Sequence, residues 1–186
     1  MTLTEILPTL RRSLPTPIAL AEWPAHTEAT TDDVTVSGIS LRQYVDLCGT
    51  PCVLTGDDPI LDSRHPELTG TRTVVAMKIT VIVDTPEHRA IALTDSWGTN
   101  LDACWSECRL IGRVSIARLQ SFELIPGELG APALPYPVAA LPSDLHAGDL
   151  LAVPSRSSIS LAQLRPSHAT ELRSSGTVSE TGEELS

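Results

Sequence analysis

The segment Thr71–Val83 constrains the fold of this chain more than any other part of the sequence, because its side chains alternate in character. Such alternation predicts a β-strand, since successive side chains of a strand point to opposite faces. Strands usually have about 5 or 6 residues, so a strand of this length is expected to bend or to turn the corner of a barrel. One face is predicted to carry Thr73, Val75, Met77, Ile79, Val81 and Val83, and the other Ala76, Lys78 and Thr80.

Shorter apolar segments on both sides of this strand predict further strands. Clusters of Gly, Pro, Asn and Asp separate them, which is typical of the turns in all-β proteins. The pattern favours a small antiparallel barrel or sandwich. The predicted strands are Val34–Val36, Cys52–Leu54, Ala90–Thr94, Cys108–Ile111, Val114–Leu124, Val138–Ala140 and Asp149–Val153.

Two short helices are predicted near the N-terminus. Residues 2–14 carry leucine and isoleucine at helical spacing, and Pro8 limits this helix to a short or kinked one. A second helix is predicted after Ser40, because Ser40 and Gln43 form a capping-box pair and Gly49 ends the apolar stripe. We therefore divide the chain into an N-terminal helix with an extended arm (1–33), a β-barrel domain (34–170) and a disordered acidic tail (171–186).

Charge and hydropathy argue against several classes of function. The 186 residues carry a net charge of −10 and no basic stripe, so nucleic-acid binding is disfavoured. No apolar run approaches the about 20 residues that span a bilayer, so no membrane association is expected. Arg11-Arg12 is followed by a short segment broken by prolines, not by the apolar region of an export signal. The expected location is the cytoplasm.

Two blocks of the sequence carry the motifs of one enzyme family. The first block contains Trp23-Pro24, Val34–Val36, Gly38-Ile39-Ser40-Leu41, Gly49-Thr50-Pro51 and Asp57-Asp58. The second contains Thr73–Lys78, Ala90–Asp95 and Leu141–Pro154, which reads Leu-Pro-Ser-Asp-Leu-His-Ala-Gly-Asp-Leu-Leu-Ala-Val-Pro. Both blocks resemble the two ends of the actinobacterial diaminopimelate decarboxylases, which are pyridoxal-phosphate-dependent enzymes of fold type III. Together the matches cover residues 5–58 and 71–160.

The resemblance implies the fold of the family's β-domain and the loss of its catalytic part. The expected fold is mainly β, a small antiparallel, Greek-key β-barrel with one or two short N-terminal helices. Between Asp58 and Thr71 the family inserts a (β/α)8 barrel of about 250 residues, and this chain has only twelve residues there. The lysine, the phosphate-binding glycines and the carboxylate that hold the cofactor are lost with it. Lys78, the only lysine, is expected to be an exposed strand residue and not a substitute.

The segments through which the family's β-domain contributes to catalysis are also altered. Gly112–Arg118 lacks the cysteine and the acidic residues of the matching motif, Ser155–Ser158 replaces a segment with a tyrosine, and Asp95–Asp102 lacks an arginine. We therefore expect a pseudoenzyme linked to lysine biosynthesis, with no catalytic, cofactor-binding or metal-binding residues and no cofactor. Because the family's β-domain takes part in dimerisation, the resemblance implies a protein partner, either a second copy in a homodimer or a full-length decarboxylase that this chain modulates.

The four cysteines leave a different class of function open. Cys48, Cys52, Cys104 and Cys108 form two C-x3-C pairs, and four thiols are enough for a tetrahedral zinc site. Buried free thiols are the ordinary alternative in a cytosolic protein. The alternative function is thus a zinc-binding module, or a barrel that binds a small molecule at its mouth.

Histidine and tryptophan residues give weaker signals. None of the five histidines has the spacing of metal ligands, and His146 is predicted to lie in a surface turn. Trp97 and Trp105 flank a segment of uncertain structure, where they either mark an interface or pack in the core. Core packing is the favoured interpretation, because this chain has few aromatic residues to fill its interior.

Overall fold

The computed structural model describes residues 17–59, 70–84, 90–96, 102–127 and 136–164. Most regular structure in these residues is β. The strands are β1 (Thr27–Ala29), β2 (Val34–Val36), β3 (Ile39–Ser40), β4 (Cys52–Asp57), β5 (Thr71–Asp84), β6 (Ala90–Thr94), β7 (Arg109–Ile111), β8 (Leu119–Pro126), β9 (Val138–Pro142) and β10 (Leu150–Ser155). The helices are α1 (Leu41–Cys48) and α2 (Leu161–Leu164), and Trp105–Glu107 form a 3-10 turn.

The strands from β4 onward form one sheet that curls into a nearly closed barrel. The strand order is β7-β10-β5-β6-β8-β9, and β4 lies beside the first part of β5. The two end strands, β7 and β9, approach each other on the far side of the barrel. The prediction of a mainly β chain that folds into a small barrel is therefore confirmed.

One pair of neighbouring strands departs from the expected antiparallel arrangement. β6 and β8 run parallel, with Ala90 opposite Phe122 and Thr94 opposite Pro126. Parallel neighbours need a crossover connection. Here the crossover includes the 3-10 turn and β7, which pairs with β10 at the other end of the strand order. The chain thus crosses the barrel before β8 begins, and β8 runs in the same direction as β6.

β5 is the long, bent strand that the sequence predicts. Its first part pairs with β4 and β10, and its last part pairs with β6. A β-bulge between Ile79 and Val81 separates the two parts. Ile79 and Ile82 both pack on the barrel interior, whereas Val81 is exposed. The prediction that Val81 and Val83 share a face with Ile79 is therefore wrong, because the bulge shifts the alternation by one residue.

The interior of the barrel is a packed apolar core. Side chains from most of its strands meet there, and Leu145, Ile159 and Leu164 close it from the connecting segments. An interior filled by side chains is typical of small barrels. The largest contributions come from Val75, Met77, Ile79, Phe122, Leu124, Leu141, Leu151 and Val153.

A second layer, formed by residues 17–50, covers part of the outside of the barrel. In this layer β1, β2 and β3 form a three-stranded sheet, and α1 follows β3 directly. Trp23 of this layer is completely buried. The layer packs Trp23, Val34, Val36 and Leu41 on the outward side chains of the barrel strands, which are Leu54, Val74, Ile111 and Ala152. We call the strands under this layer (β4, the first part of β5, β7 and β10) the covered half.

The ends of α1 agree with the predicted capping residues. Ser40 Oγ accepts a hydrogen bond from the Gln43 N–H at 3.1 Å, and Gly49 follows the last turn with a φ of 73° that suits glycine. The Asp33 carboxylate adds a second cap, because it accepts a hydrogen bond from the Arg42 N–H. The sequence does not predict α2. The predicted helix in residues 2–14 and the predicted tail of residues 171–186 lie outside the described residues.

Candidate functional site

The other half of the barrel, formed by β6, β8, β9 and the end of β5, has apolar side chains on its outer surface. Leu119, Val138 and Val81 expose 53%, 51% and 44% of their surface. Strand register places Val83, Ile91, Glu123 and Val138 in one row across four strands, which spans about 14 Å at the usual strand spacing. We call the exposed part of this surface the bare face and define it as Val81, Val83, Ile91, Leu119, Ser121, Glu123, Val138 and Ala140. Leu93 and Ile125, which lie in one row with Val81, are buried and do not belong to it.

The bare face is more apolar than the open side of an antiparallel sheet usually is. Such a side normally carries polar residues, because it faces water. Here only Ser121 and Glu123 interrupt the apolar residues. A contiguous exposed apolar patch in a folded protein usually marks a contact surface for a partner. The bare face is therefore the strongest candidate for an interaction site in the described part of the chain.

The four cysteines have different surroundings. Cys48 ends α1 and Cys52 begins β4, where Cys52 packs with Ala76 against α1. Cys104 and Cys108 flank the 3-10 turn, and Cys108 is buried in the barrel interior. The structure therefore does not bring the four thiols to one tetrahedral site. Within the ranges that the structure describes, no group of three His, Cys, Asp or Glu side chains is placed to hold a metal ion.

Tyr44, Cys48 and Cys52 form a small cluster of titratable groups at the end of α1. Cys52 is only 3% exposed, and burial, followed by the negative charges of Cys48 and Asp95, raises its pKa to about 11. The pKa of Tyr44 is also raised, first by burial and then by a hydrogen bond with Cys48 and by the charges of both cysteines. Cys48 itself is exposed. The cluster thus joins one accessible thiol to one buried thiol.

Lys78 is exposed on the outside of β5, as the sequence predicts. Its main chain exchanges two hydrogen bonds with Asp95: the Lys78 N–H donates to Asp95 Oδ1 at 2.8 Å, and the Asp95 N–H donates to the Lys78 carbonyl at 3.0 Å. These bonds join the end of β6 to β5. Asp95, the first residue of the segment that lacks the family's arginine, therefore has a role in the fold.

The buried Asp149 carboxylate in the Gly148-Asp149 turn accepts hydrogen bonds that hold the turn in place. Arg113 Nε and Nη2 each donate to an oxygen of Asp149 at 2.7 Å, and the His146 N–H donates to the same carboxylate at 2.9 Å. The hydrogen bonds with Asp149 raise the pKa of Arg113 further above its ordinary value. His146 is exposed, as predicted. Arg113 lies in the Gly112–Arg118 segment, so that segment connects β7 to the turn before β10.

Long-range contacts hold the N-terminal layer on the barrel. Glu107 Oε2 accepts hydrogen bonds from Trp23 Nε1 at 3.0 Å and from the Ala19 N–H at 3.1 Å. Arg156 donates two hydrogen bonds to the Glu22 carboxylate, at 2.7 and 2.8 Å. Trp23 and Glu107 are 84 residues apart and Glu22 and Arg156 are 134 apart. No local spacing in the sequence reveals these pairs.

Arg109 and Ser155 complete the contacts around this layer. The Arg109 guanidinium lies 6.0 Å from the centre of the Trp23 ring, and burial lowers the pKa of Arg109 although Glu107 opposes this. Ser155, the first residue of the segment that replaces the family's tyrosine, is buried and donates from Oγ to the Asp102 carbonyl at 3.0 Å. Trp105 packs against the interior core, as predicted. Trp97 lies outside the described residues.

Comparisons with known proteins give no family for this chain. No protein-family model matches it, and a search of curated proteins finds no match. Among the described residues, no helix is long and apolar enough to cross a membrane. The resemblance to diaminopimelate decarboxylases therefore remains a prediction that rests on the motifs quoted above.

Proposed function

We propose that this chain is a non-catalytic, decarboxylase-like β-barrel that acts by binding another protein. The partner is either a second copy of the chain or a full-length pyridoxal-phosphate-dependent decarboxylase. The observation that carries the proposal is the bare face, on which Leu119 and Val138 are about half exposed on adjacent strands.

The connection between β4 and β5 supports descent from a longer enzyme. The two strands pair antiparallel, with Asp57 opposite Thr71, and the Asp58 N–H donates to the Gly70 carbonyl at 2.9 Å. The end of β4 and the start of β5 are therefore adjacent in space on either side of this connection. A domain can be inserted or deleted at such a position without disturbing the strands on either side. This is the position at which the resemblance places the missing catalytic barrel.

The contacts made by the segments that differ from the enzyme family support the absence of catalysis. Arg113 and Ser155 belong to segments that would contribute to an active site in the enzyme family, and both side chains make contacts within this fold. Lys78 projects from the outside of the sheet into solvent, whereas the lysine of such an enzyme must lie in an enclosed cofactor site. These positions favour a domain that retains the fold of the enzyme family without its catalytic activity.

The size and character of the bare face favour a protein as the ligand. It crosses four strands on the outer surface of the barrel, whereas a small molecule usually binds in a concave pocket. The barrel interior is filled by side chains such as Phe122 and Leu151, so nothing here favours the small-molecule alternative. The separation of the cysteine pairs likewise gives no support to the zinc alternative.

Native mass spectrometry of the full chain tests self-association. We expect a dimer, and we expect Leu119→Glu or Val138→Glu to convert it to a monomer, because each substitution places a charge in the contact. Leu47→Glu is the matched control, since Leu47 is 84% exposed on α1 and lies outside the bare face. This control should remain a dimer. If Leu47→Glu were monomeric while Leu119→Glu and Val138→Glu remained dimers, the contact between copies would lie outside the bare face.

A second measurement is needed if the wild-type chain is a monomer. The chain is then mixed with a full-length diaminopimelate decarboxylase, and binding is measured by analytical ultracentrifugation. Binding that is lost in Leu119→Glu and kept in Leu47→Glu supports the decarboxylase as partner. A chain that is monomeric and also indifferent to the enzyme contradicts the proposed function.

A further inference from the structure

The bare face alone is too small for the contact of a stable dimer. It crosses four strands, and along β8 it extends from Leu119 to Glu123. At the usual spacings of strands and residues this gives about 14 Å in each direction, or about 200 Å². A specific interface usually buries about 800 Å² of each partner. A dimer through the bare face therefore needs a second apolar surface from each copy.

The sequence of residues 2–14 has the properties of such a surface. Its apolar residues repeat at helical spacing and would form one stripe of a helix, and they are Leu3, Ile6, Leu7, Leu10 and Leu14. A helix over these residues is at most about 20 Å long, which is enough to cross the bare face. Arg11 flanks the stripe, because it lies one helical turn after Leu7. Its charge is opposite to that of Glu123, the one charged residue in our definition of the bare face.

The described part of the chain begins beside the bare face. The Pro17 carbonyl accepts a hydrogen bond from the Arg109 guanidinium, and the Ala19 N–H donates to Glu107 at 3.1 Å. Arg109 lies on the same side of β7 as Ile111, which packs on the outside of the barrel. β7 and the 3-10 turn both contact β9, the end strand of the bare face. The position of Pro17 is therefore on the outer surface, one strand away from the bare face.

The connection that joins residues 2–14 to this position is short and stiff. It reads Pro15-Thr16-Pro17. Proline fixes its own backbone φ angle, and the residue before a proline is disfavoured from a helical conformation. Such a connection is extended and does not form a tight turn back onto its own chain. A short, stiff connection favours exchange of the segment with a second copy.

We propose that residues 2–14 of each copy bind the bare face of the other copy as an amphipathic helix. The apolar stripe contacts Leu119 and Val138, and Arg11 lies near Glu123. The inference rests on the proposed function, because it takes a second copy of the chain as the partner. Each copy contributes one segment and one bare face, so two equivalent contacts form and the assembly is closed at two copies.

The first test compares two neighbouring substitutions by analytical ultracentrifugation of the full chain. Leu10→Glu places a carboxylate in the middle of the stripe, at both contacts of the dimer. We expect it to raise the dissociation constant of the dimer by at least about tenfold. Thr9→Glu is the matched control, because it adds the same charge on the side of the helix away from the stripe. This control should dimerise as the wild type does, and circular dichroism establishes that both variants are folded.

The second test identifies which copy the segment contacts. A photoreactive benzoyl-phenylalanine is placed at the position of Leu10, and unlabelled chain is mixed with chain labelled with ¹⁵N. After irradiation, mass spectrometry of the peptides locates the links. We expect links to β8 or β9, including links between a labelled and an unlabelled peptide.

Three results would overturn the inference. If Leu10→Glu dimerised as well as Thr9→Glu while Leu119→Glu was monomeric, the segment would have no part in the contact, and the proposed function would stand without it. Links confined to peptides of equal label would show that the segment binds its own chain. A monomeric wild type would exclude the exchange, and the decarboxylase measurement would then decide the proposed function alone.

Discussion

β10 and β9 are short strands of the same barrel, yet their surroundings differ. In β10 every residue from Leu151 to Ser155 is buried, because the interior core lies on one face and residues of the N-terminal layer lie on the other. In β9 buried and exposed residues alternate, and Val138 and Ala140 face outward. The layer of residues 17–50 accounts for the difference at these two strands, because it packs on the outer face of β10 and not on that of β9.

Outward-facing apolar residues on the strands therefore have two different roles in this chain. On the covered half, outward apolar residues stabilise the fold by packing on the layer, and each contributes about 1.5–3 kcal/mol when fully buried. On the bare face, outward apolar residues contribute little to the isolated chain and are available to a partner. Substitutions in the two halves should therefore separate stability from association.

The largest expected effect comes from placing the same charge on each half. Val74→Asp buries a carboxylate between the barrel and the N-terminal layer, where Val74 has no exposure. An unpaired buried charge costs several kcal/mol, which is comparable to the about 5–15 kcal/mol that stabilises a domain. We expect this variant to be unfolded, and Val138→Asp to be folded with a loss of about 1 kcal/mol or less. Urea denaturation followed by circular dichroism measures both, and equal losses would contradict the comparison.

Trp23→Ala should have the next largest effect, because it removes the largest side chain between the layer and the barrel. Truncation of a buried tryptophan costs about 3–5 kcal/mol. Trp23→Phe separates two contributions, since it keeps most of the packing and removes the hydrogen bond to Glu107. Hydrogen exchange should become faster in the layer and in β10, and remain slow in β8. Uniform acceleration over the whole barrel would show that the two halves do not differ in their dependence on the layer.

Arg113→Ala should destabilise the chain by a smaller amount. It leaves the buried Asp149 carboxylate without its cation, and such a loss costs about 3–5 kcal/mol when both groups are fully buried. Because the Arg113 side chain is partly exposed, we expect about 2 kcal/mol. Arg118→Ala is a control on the same connection, since Arg118 is exposed. A denaturation midpoint equal to that of the control would show that the turn does not depend on Arg113.

The sequence predicts more of the fold than of the candidate sites, for physical reasons. Alternation predicts β5 and capping residues predict α1, because both are local signals. The bulge after Ile79 has no local signal, so the face of Val81 is assigned wrongly. The bare face depends on where the N-terminal layer packs, and that packing rests on contacts such as Glu22 with Arg156, far apart in sequence. The cysteine spacing is visible, but it does not reveal that Cys52 packs against α1 whereas Cys108 is buried in the barrel interior.

The smallest expected effect concerns the stability of the β9–β10 turn in acid. Burial acts to raise the pKa of Asp144, but hydrogen bonds from Ser115 and Arg113 outweigh it and lower the pKa. A carboxyl group with a lowered pKa stabilises the folded state above its unfolded pKa of about 3.9, and this contribution is lost as the pH falls through the folded value. Because Asp144 is nearly half exposed, the contribution should be below about 1 kcal/mol.

Urea midpoints of the wild type and of Asp144→Asn, measured from neutral pH down to below the unfolded pKa, test this point. The wild type should be slightly more stable than Asp144→Asn at neutral pH, and the difference should shrink as the carboxyl group becomes protonated. Ser115→Ala keeps the carboxyl group and removes one of its hydrogen bonds, so its curve should lie between the other two. Asp144 and Arg113 are not part of the bare face, although Asp144 lies two residues after Pro142, the strand partner of Leu119. None of these changes should therefore alter the oligomeric state. A variant that changed both stability and association would show that this turn also contributes to the partner contact.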